Sequence, residues 1–191
     1  MCIRDRRISE SQRAALAEVE AETDPLTGLM NRRGVERLDG RALNAGAAAM
    51  YFDVNGFKAI NDTFGHSAGD EVLRMIAQRL RDTVPTRDVV ARIGGDEFLV
   101  LSFTDERFAI DAIVQDVNEQ LQQPIVVAGG QVLHITIAVG ISYTDAPWLQ
   151  LAELVRDSDR DMYRTKRTMQ SGKNGADITS TVDVDLDRFA A

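Results

Sequence analysis

Cysteine is nearly absent, Cys2 being the only one in 191 residues. An intramolecular disulfide framework is therefore excluded, and the chain is expected to fold by core packing in a reducing, cytoplasmic compartment. No apolar run approaches the roughly 18–20 residues of a membrane span, and Met1 to Arg7 is too charged to hold a signal-peptide core. This segment is thus expected to make no membrane contact. Positive charge is in deficit as well: 22 Lys and Arg stand against 30 Asp and Glu, a net charge of −8. That excludes a general binder of nucleic-acid backbones, which needs a basic surface, but not a protein that takes one nucleotide through a metal ion. Neither of the two histidines, His66 and His134, has a second His or Cys at ligand spacing, so no zinc site is assigned. His66 reads as a loop hydrogen-bonder and His134 as a strand-face residue. Internal repeats and low-complexity segments are also lacking.

What is present is ordinary globular composition, 44% hydrophobic and 27% charged. At roughly 150 residues per domain this supports one domain with a little left over. Arg7 to Glu22 is polar, free of Gly and Pro, and has only Ile8, Leu16 and Val19 as large apolar residues. It reads as an exposed helix, either a solvated leader or the end of a stalk that pairs with a second copy. Asp24-Pro25 stops that helix, and Asn31 offers a cap for the next one.

Beyond this boundary the apolar period alternates between strand and helix. Ala47 to Asp53 is a continuous apolar run ending in a carboxylate, as in a buried central strand. Residues 68–84 are helical, with Val72, Leu73, Ile76 and Leu80 on one face, until Pro85 ends the helix. Asp88–Ile93 and Glu97–Phe103 form a hairpin about Gly94-Gly95. Residues 106–122 are helical, with Phe108, Ile110, Ile113, Val114, Val117 and Leu121 placed on one side. Pro124–Val127 and Val132–Tyr143 read as a second hairpin, whose later arm sets His134, Thr136 and Ala138 against Ile135, Ile137 and Val139. Trp148 to Arg167 is the last long helix. Mixed elements with adjacent hairpins indicate an α+β sheet covered by helices, not a purely parallel doubly wound sheet.

Two segments could carry chemistry. In Tyr51-Phe52-Asp53-Val54-Asn55-Gly56-Phe57-Lys58 a buried strand delivers an acid into a tight turn. Such an acid can hold a divalent cation while nearby backbone N–H groups face phosphate oxygens, or it can simply cap the turn. In Ile93-Gly94-Gly95-Asp96-Glu97-Phe98 two adjacent acids stand at a hairpin tip, where they repel unless something positive compensates. They are either solvated surface or, together with Asp53, carboxylates of a Mg2+ site for nucleotide phosphates.

These segments belong to a longer ordered pattern. It comprises Asp24-Pro25-Leu26-Thr27-Gly28-Leu29-Met30-Asn31-Arg32-Arg33, Phe52-Asp53, Phe57-Lys58 through Asn61-Asp62 to His66 with Gly69-Asp70, and Arg92 to Phe98. Over about residues 22–179 this closely resembles the GGDEF family of diguanylate cyclases. The resemblance implies a leader over residues 1–22, a GGDEF domain over 23–179 and a tail over 180–191. It also implies a nucleotide-cyclase or polymerase-palm fold, with a central, mostly antiparallel sheet flanked by helices. The activity implied is condensation of two GTP molecules into cyclic di-GMP with loss of two pyrophosphates. Each protomer holds one GTP, so a homodimer is required, and an upstream sensor domain is a possible partner.

Residue by residue, the resemblance implies that Asp53, the Val54 carbonyl, Asp96 and Glu97 hold Mg2+ (or Mn2+), two ions per site. Asp96 also matches the general base for the attacking 3'-hydroxyl, with Glu97 beside it as the second catalytic acid. Asn55, Gly56, Phe57 and Lys58 form the phosphate turn, where Gly56 allows close backbone approach. Asn61 and Asp70 contact guanine, whose N1–H and N2–H2 a carboxylate can accept together, whereas adenine presents no such donors. Without the resemblance, Asn61 and Asp70 read as loop and helix-capping residues. Lys166, in the last helix with Met162 and Tyr163, is a phosphate ligand. Two departures stand out. Arg167 to Gln170 displace the pattern's close, so Lys173 stands where Arg is commoner and reads equally well as a surface lysine. Upstream, Pro85 takes the Arg position of the RxxD product-inhibition motif, whose Asp position falls on Asp88, with Arg87 between them. A catalytically inactive nucleotide-binding signalling module on the same fold is the alternative.

Overall fold

The computed structural model describes residues 9–38, 46–104, 106–144 and 151–172. Trp148 and Lys173, both singled out above, lie outside them. The first helix is α1 (Glu10–Glu22), begun by a capping box in which Ser9 and Gln12 exchange side-chain-to-backbone bonds. After the Asp24–Leu29 turn come β1 (Met30–Asn31) and α2 (Arg32–Glu36), whose Gly34 amide donates to the Asn31 side chain as expected.

The centre of the fold is β2 (Ala47–Val54), buried at all eight positions. It is flanked by α3 (Phe57–Phe64) and α4 (His66–Thr83) in sequence, then by the hairpin of β3 (Val89–Arg92) and β4 (Glu97–Ser102). α5 (Arg107–Leu121), the short β5 (Ile125–Val126) and β6 (Val132–Leu133), β7 (Ile137–Thr144) and α6 (Leu151–Gly172) complete the order. The main sheet runs β1-β3-β4-β2-β7, antiparallel except for β1 against β3.

Burial of β2 on both faces explains its unbroken apolar run. Ala48, Met50, Phe52 and Val54 pack with α4 and α5 residues such as Leu73, Ile76 and Val114. Ala47, Ala49 and Tyr51 face the second core, with Leu99, Leu154 and Met162. Alternation along a strand sends Asp53 to this second face, toward α6. Phe52 and Phe98 pair directly across β2 and β4, both fully buried. Losing either ring costs about 3–5 kcal/mol.

Two expectations need correction. The arm Val132–Tyr143 is not one strand: β6 pairs with β5, and the chain then changes partner so that β7 joins β2. At the break, Thr136 accepts from the Asn55 amide through its carbonyl and from Asn55 Nδ2 through its hydroxyl. Ala138, on the face opposite Ile137 and Val139, is fully buried because α6 covers that side. Phe108 is the second case, being 91% exposed. It precedes Ile110 by two residues, about 200° around a helix, opposite the stripe of Ile110, Ile113, Val114, Val117 and Leu121.

α6 lies unusually close to β7. A Cβ on Gly140 would overlap the Met162 amide and the Ser158 carbonyl. Ile141 N–H donates to Asp161 Oδ2 at 3.2 Å, and Ser142 Oγ donates to the Leu154 carbonyl. α6 thereby covers this face of the sheet, and Lys166 is carried over the end of β2.

Candidate functional site

The sheet register assembles the acids. Asp53 pairs with Glu97 across β2 and β4, and Val54 N–H donates to the Asp96 carbonyl at 3.2 Å, extending the ladder to the hairpin tip. Asp53 and the Asp96-Glu97 pair, 43 positions apart in sequence, therefore stand side by side. Lys166 reaches them from α6, with Nζ donating to Asp53 Oδ1 at 2.6 Å. Burial first, and then the charge of Asp53, hold both the Asp96 and Glu97 carboxyls above the ordinary range. Tyr51, on the same face two residues before Asp53, hydrogen-bonds Glu97 and offsets part of that shift. Its own hydroxyl is pushed up by burial and then by the charges of Glu97 and Asp159, which keeps it a donor.

Negative charge thus exceeds what Lys166 supplies, and a divalent cation fits the donor chemistry of Asp53, Asp96, Glu97 and the Val54 carbonyl. Among the described residues no three acidic, His or Cys side chains converge into a cage for a metal ion. The donor set consists of hard oxygens of the kind Mg2+ takes, an ion that binds through one or two carboxylates and shares its shell with phosphates.

The neighbouring turn is open. Gly56 has φ +70° and nothing within 4 Å of where a Cβ would be, so an L side chain would be strained there and would block approach to the backbone. Phe57 and Lys58 open α3, where first-turn amides lack partners within the helix. Asn55 is already engaged with Thr136 through both amide groups. Asn61 and Asp70 are neither loop nor cap residues: each lies inside a helix, α3 and α4 respectively. A Cβ on Gly69 would overlap Asn61 Oδ1, so the missing side chain lets Asn61 lie against α4 beside Asp70. Asp70 is half-exposed and sits 3.8 Å from Arg74.

Arg92 is a residue whose role the sequence did not disclose. Its Nη1 donates to Asp24 Oδ1 at 3.0 Å and its Nη2 to the Gly95 carbonyl at 2.8 Å, fastening the hairpin tip to the Asp24–Leu29 turn. Burial raises the Asp24 carboxyl, but bonds from Thr27 and Arg92 outweigh it and leave the group below its ordinary value. The role of Tyr51 beside Glu97 is likewise not disclosed by the motif, though period-two spacing places it on the face of Asp53. Behind the hairpin, Tyr51, Glu97, Arg32, Val155 and Asp159 line part of a cavity of about 620 Å3. Asp88 faces inward, accepting from Ser102 Oγ at 3.0 Å and from Phe103 N–H at 3.3 Å.

The family model for "Diguanylate cyclase, GGDEF domain" matches residues 21–172. The chain belongs to the GGDEF family. Diguanylate cyclase TpbB of Pseudomonas aeruginosa is 35% identical over 181 residues, 88% of this chain and 40% of that protein. Cyclic di-GMP phosphodiesterase NbdA of the same organism is 32% identical over 194 residues, 93% of this chain and 24% of that protein. The solved GGDEF domain of TpbB superposes with a TM-score of 0.68 at 36% identity, covering 76% of this chain and 89% of that one. The GGDEF chain thus spans 24% of one of these relatives and 40% of the other. Among its described residues no helix is long and apolar enough to cross a membrane.

Proposed function

We propose that this GGDEF chain is a diguanylate cyclase that joins two GTP molecules, one held by each of two protomers, into cyclic di-GMP. The observation that carries this reading is the convergence of Asp53 near the end of β2, Asp96 just ahead of β4 and Lys166 on α6, beside the open Gly56 turn. Bound Mg2+ would supply charge neutralisation at the α-phosphate and pyrophosphate and would acidify the attacking hydroxyl. Asp53, Asp96, Glu97 and the Val54 carbonyl would hold it. Asp96 accepts the 3'-hydroxyl proton, and the α3 amides with Lys58 and Lys166 bind the phosphates. Asn61 and Asp70 select guanine, so GTP is preferred over ATP.

Similarity to a protein named as a phosphodiesterase favours a second reading, a nucleotide-binding module without turnover. Incubating the purified chain with GTP and Mg2+, with chromatography for cyclic di-GMP and separate calorimetry of GTP binding, distinguishes the two. Product from wild type, lost in Asp53→Ala and Asp96→Ala while their circular dichroism is unchanged, supports the cyclase. GTP binding without product supports the module, and undiminished product from Asp53→Ala overturns the site.

A further inference from the structure

We propose that Lys166 is a cation placeholder, its ammonium occupying the metal side of Asp53 until nucleotide phosphate draws it away and opens the site to a divalent ion. The inference rests on the cyclase reading and adds a coupling between metal and nucleotide binding. Asp53 is 7% exposed, so its charge needs a partner in the nucleotide-free chain. Lys166 provides one at 2.6 Å, with its own side chain 31% exposed on a flexible stem.

Asp53 is turned to Lys166, and Glu97 lies against Gly94, where a Cβ would overlap its Oε2. A divalent ion approaching Asp53 meets a positive charge within contact range, and admitting the ion breaks the Lys166–Asp53 pair. Triphosphate bound at the α3 turn supplies Lys166 with another counter-ion. Each ligand therefore favours the other, and such coupling is reciprocal.

The test is titration of nucleotide-free protein with Mn2+ alone, followed by electron paramagnetic resonance of free Mn2+, in wild type, Lys166→Met and Lys166→Gln. Removing the ammonium should tighten Mn2+ binding by at least about tenfold, equivalent to about 1.4 kcal/mol, and Asp53→Asn placed on Lys166→Met should abolish the gain. Equal Mn2+ affinity in wild type and in whichever of the two neutral variants folds overturns the placeholder role while leaving the cyclase reading intact. If no protein binds Mn2+ even with a non-hydrolysable GTP analogue, the cyclase reading falls and the placeholder falls with it.

Discussion

At the scale of single residues, the raised Asp96 carboxyl makes a stability prediction with a definite sign. Burial, and then the charge of Asp53, raise its folded value above 3.8. Folded protein therefore keeps a proton over a window opening near that value, where unfolded protein has lost it, and stability falls across the window as pH rises. Asp96→Asn carries no such penalty. In chelator at pH 7 it should melt above wild type, while cyclic di-GMP synthesis falls by more than the roughly 10–100-fold typical of losing a residue that only supports a metal ligand. A lower melting midpoint would contradict the electrostatic assignment. Asp88 makes the complementary case. Its carboxylate is committed to Ser102 and Phe103, and Pro85 supplies no donor where an RxxD arginine would stand. Calorimetry with cyclic di-GMP should find no tight site outside the proposed site at Asp53 and Asp96. Asp88→Ala should lower stability by about 1–3 kcal/mol through unpaired buried groups, without changing product inhibition. Tight, non-competitive inhibition abolished by that substitution would show that Arg87 or another residue has replaced the missing arginine.

Two elements position the site, and each hangs on a contact that can be broken. α6 carries Lys166 and touches β7 backbone to backbone at Gly140. Gly140→Ala should cost about 1–3 kcal/mol by overpacking and should displace the helix, so activity falls even though no catalytic group is altered. Thermal melts and initial rates check this together, and a variant with wild-type activity would show that α6 placement tolerates the shift. The β3–β4 hairpin is held by Arg92 between Asp24 and Gly95. Asp24 has a lowered folded pKa, so its stabilisation is present above 3.8 and is lost as pH falls through the folded value. Asp24→Asn should therefore be less stable than wild type at pH 7 and should converge with it in acid. A difference that persists unchanged below that range would mean the Arg92 contact is not electrostatic.

For the whole molecule, α1 is tied to the turn and helix that follow it. Asn31 Nδ2 donates to the Ala21 and Thr23 carbonyls, and Arg37 pairs with Glu18 and Glu22, while Leu16 and Val19 remain exposed on α1. Reaction between two protomers predicts that specific activity rises with protein concentration until dimers saturate, and that fusing a strong parallel coiled coil ahead of α1 raises it at dilution. Specific activity that stays flat over several decades of dilution, with a monomer in sedimentation, would sink two-protomer chemistry. The sequence by itself determined much of this protein. The unbroken run of β2, the helical period of α4, the Gly94-Gly95 hairpin and the Asn31 cap were all legible, because each rests on local backbone preference and burial period. The ordered motifs disclosed the family. Tertiary structure alone decided the split of Val132–Tyr143 between two sheets, since exchanging a strand partner leaves no local trace. It alone buried Ala138 under α6 and closed Arg92 onto Asp24 and Lys166 onto Asp53. Those contacts join residues 68 and 113 positions apart, and side-chain partners at such separation are selected by packing of the assembled sheet and helices, not by any spacing along the chain.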